Sequence, residues 1–455
     1  MQPSPTHPTS PSWYGQPGTV LIVTIWVIMV LTSLVLVFAR SMRVCAYTAA
    51  NAVAAQQADL IGDGALQAML ALIESGKDLE TTAMKALYEA VKVGDGYYWV
   101  LRSNLEDDRH YDYGLVDESS KINLNSASME MLQKLPGMTA ELAASIIDWR
   151  DSDSDVTAGG AENEYYLLLP QPYQCKNAAL ETVEEVLLIQ GATKEMLYGE
   201  DTNRNGRLDD NENDGDESDP PDNRNGTLDR GFYDTVTVYS VEDNTDSNGV
   251  QRINVSDPAS RGPLQTALRE VFSQDRALEI MDLVPNNPNF ASTLAFYFRS
   301  GMTSVEFAKI ADRLTTSSEK QIVGLVNVNT ASKPVLLCLP SLEVSDADAL
   351  ISKRSAQGTN LSSIAWVLDV LDRQKATAIG GFITTRSHRF SVDTVSVSEN
   401  GRAFRRSWAV LDTMQKPTKV KYWQSLTHLG WPLDREILST LRSGKPLDQV
   451  TLALH

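Results

Sequence analysis

Six residues in the stretch DTNRNGRLDDNE could hold a hard cation: Asp201, Asn203, Asn205, Arg207, Asp209 and Glu212. Oxygen-bearing side chains fall at positions 1, 3, 5 and 9 of a 12-residue loop. Gly206 stands at position 6, where the chain must turn sharply, and Glu212 at position 12 can offer both carboxylate oxygens. Arg207, at position 7, would contribute its backbone carbonyl. Calcium takes six to eight oxygen ligands at adaptable angles, and this spacing wraps a loop around one ion. Residues 200–229 contain 11 acidic and three basic residues (Arg204, Arg207, Arg224), with almost no large apolar side chains. Such a stretch reads as a loop held by something other than a core. A partial copy, DNRNGTLD, keeps Asn223, Asn225, Gly226 and Asp229. Pro221 and Phe232 occupy its positions 1 and 12, so it needs a ligand from outside the template, such as Asp219. A third candidate, WRDSDSDVTAGGAE, sets Asp151, Asp153, Asp155 and Glu162 at 1, 3, 5 and 12, with Val156 where the turn glycine belongs. By spacing alone, an Asp/Ser run also describes a solvated helix end. The cofactor expected is structural calcium, one or two ions.

No catalytic constellation accompanies these loops. HExxH, GxSxG, a phosphate-binding loop and a dinucleotide fingerprint are all missing, and the five histidines are scattered. The chain is therefore read as a non-enzyme. A net charge of −19 argues against general nucleic-acid affinity, which needs clustered Lys and Arg. Cys45, Cys175 and Cys338 show no metal-ligand spacing; Cys175 and Cys338 could pair in an oxidising compartment.

The elements that position the acidic loops include a duplication. KINLNSASMEMLQKLPGMTAELAASIIDWR (residues 121–150) aligns without a gap on LVNVNTASKPVLLCLPSLEVSDADALISKR (residues 325–354). Among the ten identities are Asn123/Asn327, Asn125/Asn329, Pro136/Pro340 and Arg150/Arg354. Each copy reads as a strand, an N-cap, a helix, a Pro-containing turn and a second helix, a helix-hairpin-helix pattern. Helices this short must pack on something. A further hairpin is expected over 179–199, with Gly191 ending its first helix.

Residues 19–38, TVLIVTIWVIMVLTSLVLVF, form an uncharged run long enough to cross a bilayer. No proline occurs from 19 to 75, so one helix of more than 50 residues is expected, half of it outside the lipid. The leader, MQPSPTHPTSPSWYGQPG, cannot pack. Gly18 directly before the apolar run resembles a type IV prepilin cleavage site, with Thr19 as the first mature residue. A plain signal anchor reads the same way, and Arg40 and Arg43 taken alone would orient the C-terminal side to the cytoplasm. Beyond the helix the pattern predicts a helix over 79–93 and strands near 97–102, 111–116 and 233–241. It also predicts helices over 263–299, a hairpin turning at Asn400–Gly401, and a strand near 420–423. The tail beyond Pro432 carries no signal.

Together these motifs resemble a known family. DESSKINLN (117–125), WRDSD with GAENEYY (149–153 and 160–166), YQCKN (173–177) and TTRSHRF (384–390) occur in order. The chain thus resembles the K-type minor pseudopilin of type II secretion, general secretion pathway protein K. The resemblance implies an α+β, pilin-like fold: a long N-terminal transmembrane helix and a small antiparallel sheet, interrupted by a large, mostly α-helical inserted domain containing the helix-hairpin-helix repeats. The implied divisions are a leader (1–18), the helix (19–75) and a first pilin-like part (76–125). An insert (126–380) with acidic loops near 200–230 and the second repeat over 325–375 follows, then C-terminal strands (381–425) and a tail (426–455). The resemblance further implies processing by prepilin peptidase and a single-pass place in the inner membrane with the C-terminal domain in the periplasm. It implies a seat at the pseudopilus tip beside the I- and J-type minor pseudopilins, capping or initiating the filament that supports export across the outer membrane. The family lacks the Glu found at the fifth mature position of most pilins, which accounts for Val23. The family also binds calcium, which supports Asp151, Asp153 and Glu162 as ligands.

An alternative from another class is a membrane-anchored helix-hairpin-helix DNA-binding protein of a competence or type IV pilus-like machine. The hairpins read Pro136-Gly137-Met138-Thr139 and Pro340-Ser341-Leu342-Glu343, so the second glycine of a phosphate-gripping GxG is missing from both. Glu343 puts an acid where phosphate would sit. A membrane-bound hydrolase is weaker still, for want of a nucleophile–base pair.

Overall fold

The computed structural model describes residues 17–76, 79, 82–217 and 221–447. The leader through residue 16, Asp219 and the end of the tail lie outside them.

Helix α1 (Pro17–Glu74) runs unbroken for 58 residues, about 87 Å at 1.5 Å per residue. Residues 18–49 are exposed along their whole length, and this helix is long and apolar enough to cross a membrane. Farther along, Ala54, Ala58, Ile61, Ala65, Met69 and Leu72 form a buried stripe at helical spacing. The small residues let the helix lie close to a sheet. The Ser396 hydroxyl donates to the Ala58 carbonyl at 2.7 Å, and a Cβ on Gly62 would come within 3.1 Å of that hydroxyl.

The sheet has seven strands. β1 (Val91–Val93), β2 (Gly96–Arg102), β3 (Asp112–Tyr113) and β4 (Val116–Asp117) precede the insert. β13 (Arg389–Val397), β14 (Phe404–Asp412) and β15 (Lys419–Ser425) follow it. The order is β1-β2-β13-β14-β15, with β3 on β2 and β4 on β13, and every pairing is antiparallel. The predicted Asn400–Gly401 turn lies between β13 and β14, with Gly401 at φ +60°. The helix expected over 79–93 shrinks to α2 (Thr82–Lys85), because Val91–Val93 pairs with β2 instead. The tail forms α14 (Arg435–Arg442), whose Ile437, Leu438 and Leu441 cover the sheet face opposite α1.

Between β4 and β13 lies the insert, residues 118–388, wider than the 126–380 expected. It contains not two related units but three, each opened and closed by a pair of short parallel strands. The first runs from β5 (Ile122–Asn123) through α3 (Met129–Gln133), α4 (Ala140–Arg150), α5 (Asn163–Tyr166) and α6 (Lys194–Tyr198) to β6 (Val236–Thr237). After β7 (Val241–Asp243), the second runs from β8 (Ile253–Asn254) through α7 (Arg261–Val271), α8 (Gln274–Leu283), α9 (Thr293–Ser300) and α10 (Ser304–Ala308) to β9 (Leu314–Thr315). After β10 (Gln321–Val323), which pairs with β7, the third runs from β11 (Val326–Asn327) through α11 (Lys333–Cys338), α12 (Val344–Ser355) and α13 (Arg373–Ile379) to β12 (Ile383–Thr384).

The units share their polar joints. Asn123, Asn254 and Asn327 each accept the amide two residues on, at 2.9–3.0 Å. Thr237, Thr315 and Thr384 on the closing strands each accept the amide two residues later, at 3.0–3.1 Å. Arg150 donates to the Leu124 and Ala127 carbonyls, and Arg354 to the equivalent Val328 and Ala331 carbonyls. One shared apolar core runs through all three units. Strands that the pattern placed over 233–241 appear only at Val236–Thr237 and Val241–Asp243, because Tyr233–Thr235 makes a 3₁₀ turn.

Candidate metal centres

The 201–212 loop folds as its spacing requires. Gly206 adopts φ +74°, and Arg204, a position open to any residue in the template, adopts φ +55°. Asp201 accepts from the amides of Asn205 (3.1 Å) and Gly206 (2.8 Å). Asp209 accepts from the side-chain amides of Asn203 (2.6 Å) and Asn205 (3.0 Å). Glu212 closes the loop, taking the Thr202 amide and hydroxyl on one oxygen and the Asp209 amide on the other. Asp201, Asn205 and Glu212 are buried, while Asn203, Arg207 and Asp209 are partly so.

Burial, reinforced by the nearby Glu212 and Asp234 carboxylates, pushes the Asp201 carboxyl up to about 7. Burial also raises Asp209 and Glu212. Acids concentrated out of water in this way are costly unless a cation balances them. Their hard-oxygen character fits calcium, which would rest on Asp201, Asn203, Asn205, Asp209, Glu212 and the Arg207 carbonyl.

The partial copy repeats this geometry twenty residues on. Arg224 and Gly226 adopt φ +53° and +76°, and Asn223 donates to Asp229 at 2.6 Å as Asn203 does to Asp209. The carboxylate missing from its position 12 is supplied from upstream. Glu200 accepts the Asp229 amide at 3.1 Å, as Glu212 accepts that of Asp209. Spacing could not reveal Glu200, since it lies outside the template.

The third candidate differs from its template. Asp151 and Glu162 approach each other at the end of α4, but Asp153 and Asp155 are exposed, and Asp153 caps the Asp155 amide instead. Their place is taken by Asn177. Both Glu162 carboxylate oxygens, Asp151 Oδ1 and Asn177 Oδ1 are buried without a hydrogen-bonding partner. Glu162 is 3% exposed, and burial raises both its carboxyl and that of Asp151. Buried oxygens left unpaired in this way are what a hard cation would satisfy. Asn177, held at φ +45°, was legible only as part of the YQCKN motif. Among the described residues no three His, Cys, Asp or Glu side chains close around one point, so either centre would need amide and backbone oxygens as well.

Cys175 and Cys338 are buried, unpaired thiols in different units, and Cys45 is exposed on α1. Gly18 and Thr19 are exposed in the first turn of α1. Each hairpin is followed by a capped helix: Thr139 accepts the Leu142 amide at 3.1 Å, and Glu343 forms a capping box at the start of α12.

A long apolar helix docked on an antiparallel sheet, with the rest of the chain spliced into that sheet, is the arrangement of a pilin-like protein, and the helix is a candidate membrane anchor. Two segments, residues 115–198 and 326–379, match the family described as type II secretion system (T2SS), protein K. They coincide with the start of the first unit and most of the third. These two matches support a K-type minor pseudopilin of type II secretion. The protein also resembles a chain in the crystal structure of the GspK-GspI-GspJ complex from the enterotoxigenic Escherichia coli type 2 secretion system. That likeness is loose: 13% identity, TM-score 0.42, 81% of this chain and 96% of that one. A search of curated proteins gave no match.

Proposed function

We propose that the protein is the tip subunit of the pseudopilus, capping or initiating it in contact with I- and J-type minor pseudopilins. The observation that carries this reading is the splice between β4 and β13, where an insert larger than the pilin-like body leaves the sheet. A filament subunit must accept a neighbour on top, and a body enlarged this way is suited to a place where none follows. Val23 agrees with it: a subunit with nothing above has no amine to neutralise, and an unpaired Glu in the apolar bundle would be costly. Residues 18–49, exposed in the isolated chain, supply the rod that packs among sibling helices and in the inner membrane. The residues offer a structural rather than a catalytic role, with the insert in the periplasm and prepilin peptidase cutting between Gly18 and Thr19.

Calcium, at the 201–212 loop and at Asp151, Glu162 and Asn177, would give order to acidic segments that have too little apolar surface to order themselves. The test of the tip reading is gold labelling of the insert in assembled pseudopili viewed by electron microscopy. Label at one end only is expected, and label along the shaft refutes it. Mass spectrometry of membrane-extracted protein should find Thr19 first.

A further inference from the structure

Loop 201–212 belongs to the insert by sequence and touches it through Arg204, which pairs with Glu184, yet several of its contacts reach the pilin-like body. Arg406, near the start of β14 and 1% exposed, binds Asp393 on β13 at 2.6 Å. The same guanidinium donates to the Asn203 and Arg204 carbonyls. Asn205 Nδ2 donates to the Pro432 carbonyl at 2.8 Å. The Arg207 guanidinium pairs with Asp434 at 2.7 Å and lies 4.7 Å from the centre of the Tyr111 ring.

Pro432 and Asp434 open the C-terminal strap. Just beyond them α14 lays Ile437, Leu438 and Leu441 over Tyr97, Trp99 and Val395, and Trp431 meets Trp99 edge-on at 6.0 Å. At its far end Arg442 donates to the Gly401 carbonyl at 3.0 Å. The strap thus covers an aromatic-rich face of the sheet, and its entry is tied to the loop.

The tie uses positions 5 and 7 of the cation template. In each residue one end is a candidate ligand and the other reaches the strap. Asn205 has Oδ1 for the ion and Nδ2 for Pro432; Arg207 has its carbonyl for the ion and its guanidinium for Asp434. Fixing the ligand ends therefore fixes the strap-facing ends. We propose that the 201–212 loop is a cation-set clasp, and that filling it lowers the rate at which the strap, residues 426–447, opens from the second face of the sheet. This rests on the loop's reading as a calcium site given above.

Local opening of this kind is read by amide exchange. In the full chain in detergent micelles, calcium should slow exchange over 435–442 at least tenfold, with the bound ion counted separately by calorimetric titration. Asp434→Asn, which removes no candidate ligand oxygen and meets Arg207 only at its guanidinium end, should keep the binding and lose most of the slowing. Calcium that binds without changing strap exchange overturns the clasp and leaves the site standing. Full slowing in Asp434→Asn also overturns it. Absence of binding at the loop, seen as an unchanged titration in Asp201→Ala with Glu212→Ala, removes the site and the clasp together.

Discussion

Asp201 gives the most direct test of the loop's electrostatics. In the calcium-free chain its carboxyl stands near 7 rather than the ordinary 3.8, chiefly through burial and secondarily through Glu212 and Asp234. Below about pH 3.8 folded and unfolded chains both hold the proton. Between 3.8 and 7 the unfolded chain releases it while the folded chain keeps it, so stability falls as pH rises across that window. At 1.36 kcal/mol per tenfold, the full effect is about 4 kcal/mol, which for a body of a few hundred residues is roughly 5–10 °C in melting temperature. Asp201→Asn cannot titrate and should lack this component. Scanning calorimetry of both proteins in calcium-free detergent solution at pH 4.5 and 7.5 isolates it. Relative to the variant, wild type should lose about 5–10 °C between the two pH values. Calcium at pH 7.5 should then reverse the order, since a ligand a thousandfold above its Kd adds about 4 kcal/mol to the state it binds. Parallel melting temperatures at both pH values would refute the reasoning, because they would mean that Asp201 is solvated or already paired.

Three further outcomes follow from named contacts. Glu162→Gln should raise the calcium-free melting temperature, since it neutralises two orphaned buried oxygens, and should remove one ion from the titration; an unchanged ion count would exclude Glu162 as a ligand. Ser341 holds φ +60° where its repeat partner Gly137 holds +67°. Ser341→Gly should therefore stabilise the third unit by up to about 1 kcal/mol, and a loss in denaturant titration would show that the serine is not strained. Gly199 at φ +67° abuts the 229–231 backbone, where an added Cβ would lie 2.5 Å from the Gly231 nitrogen. Gly199→Ala should cost about 3 kcal/mol or more, measured as lost melting temperature or soluble yield.

The features legible from sequence were those with short-range causes. The single helix α1 followed from an uninterrupted run without proline, and the loop at 201–212 from oxygen spacing around a glycine. The two outer repeats were visible because Asn123/Asn327 and Arg150/Arg354 keep register without a gap. The middle unit was missed although RINVSD around Asn254 resembles KINLNS around Asn123. An extra residue follows in RINVSDPAS, and its helices share few identities, so the ungapped comparison passes over it. The helix expected over 79–93 failed because Val91–Val93 finds a partner in β2, a gain no local pattern announces. At the third candidate the unpaired buried oxygens belong to Asp151, Glu162 and Asn177, while Asp153 is exposed, because the chain returns to α4 only after the Tyr173 turn.

By itself the sequence showed the long apolar helix, the acidic loops and the family motifs, since each depends on neighbours within about a dozen residues. Tertiary structure alone decided that Glu200 serves the second loop, that Asn177 faces Glu162, and that Arg406 reaches from β14 into the 201–212 loop across some 200 residues of chain. Those pairings arise where the insert folds back on the sheet from which it departs. Burial there makes unmatched charge and unmatched carbonyls expensive, so partners are chosen by proximity in space rather than along the chain.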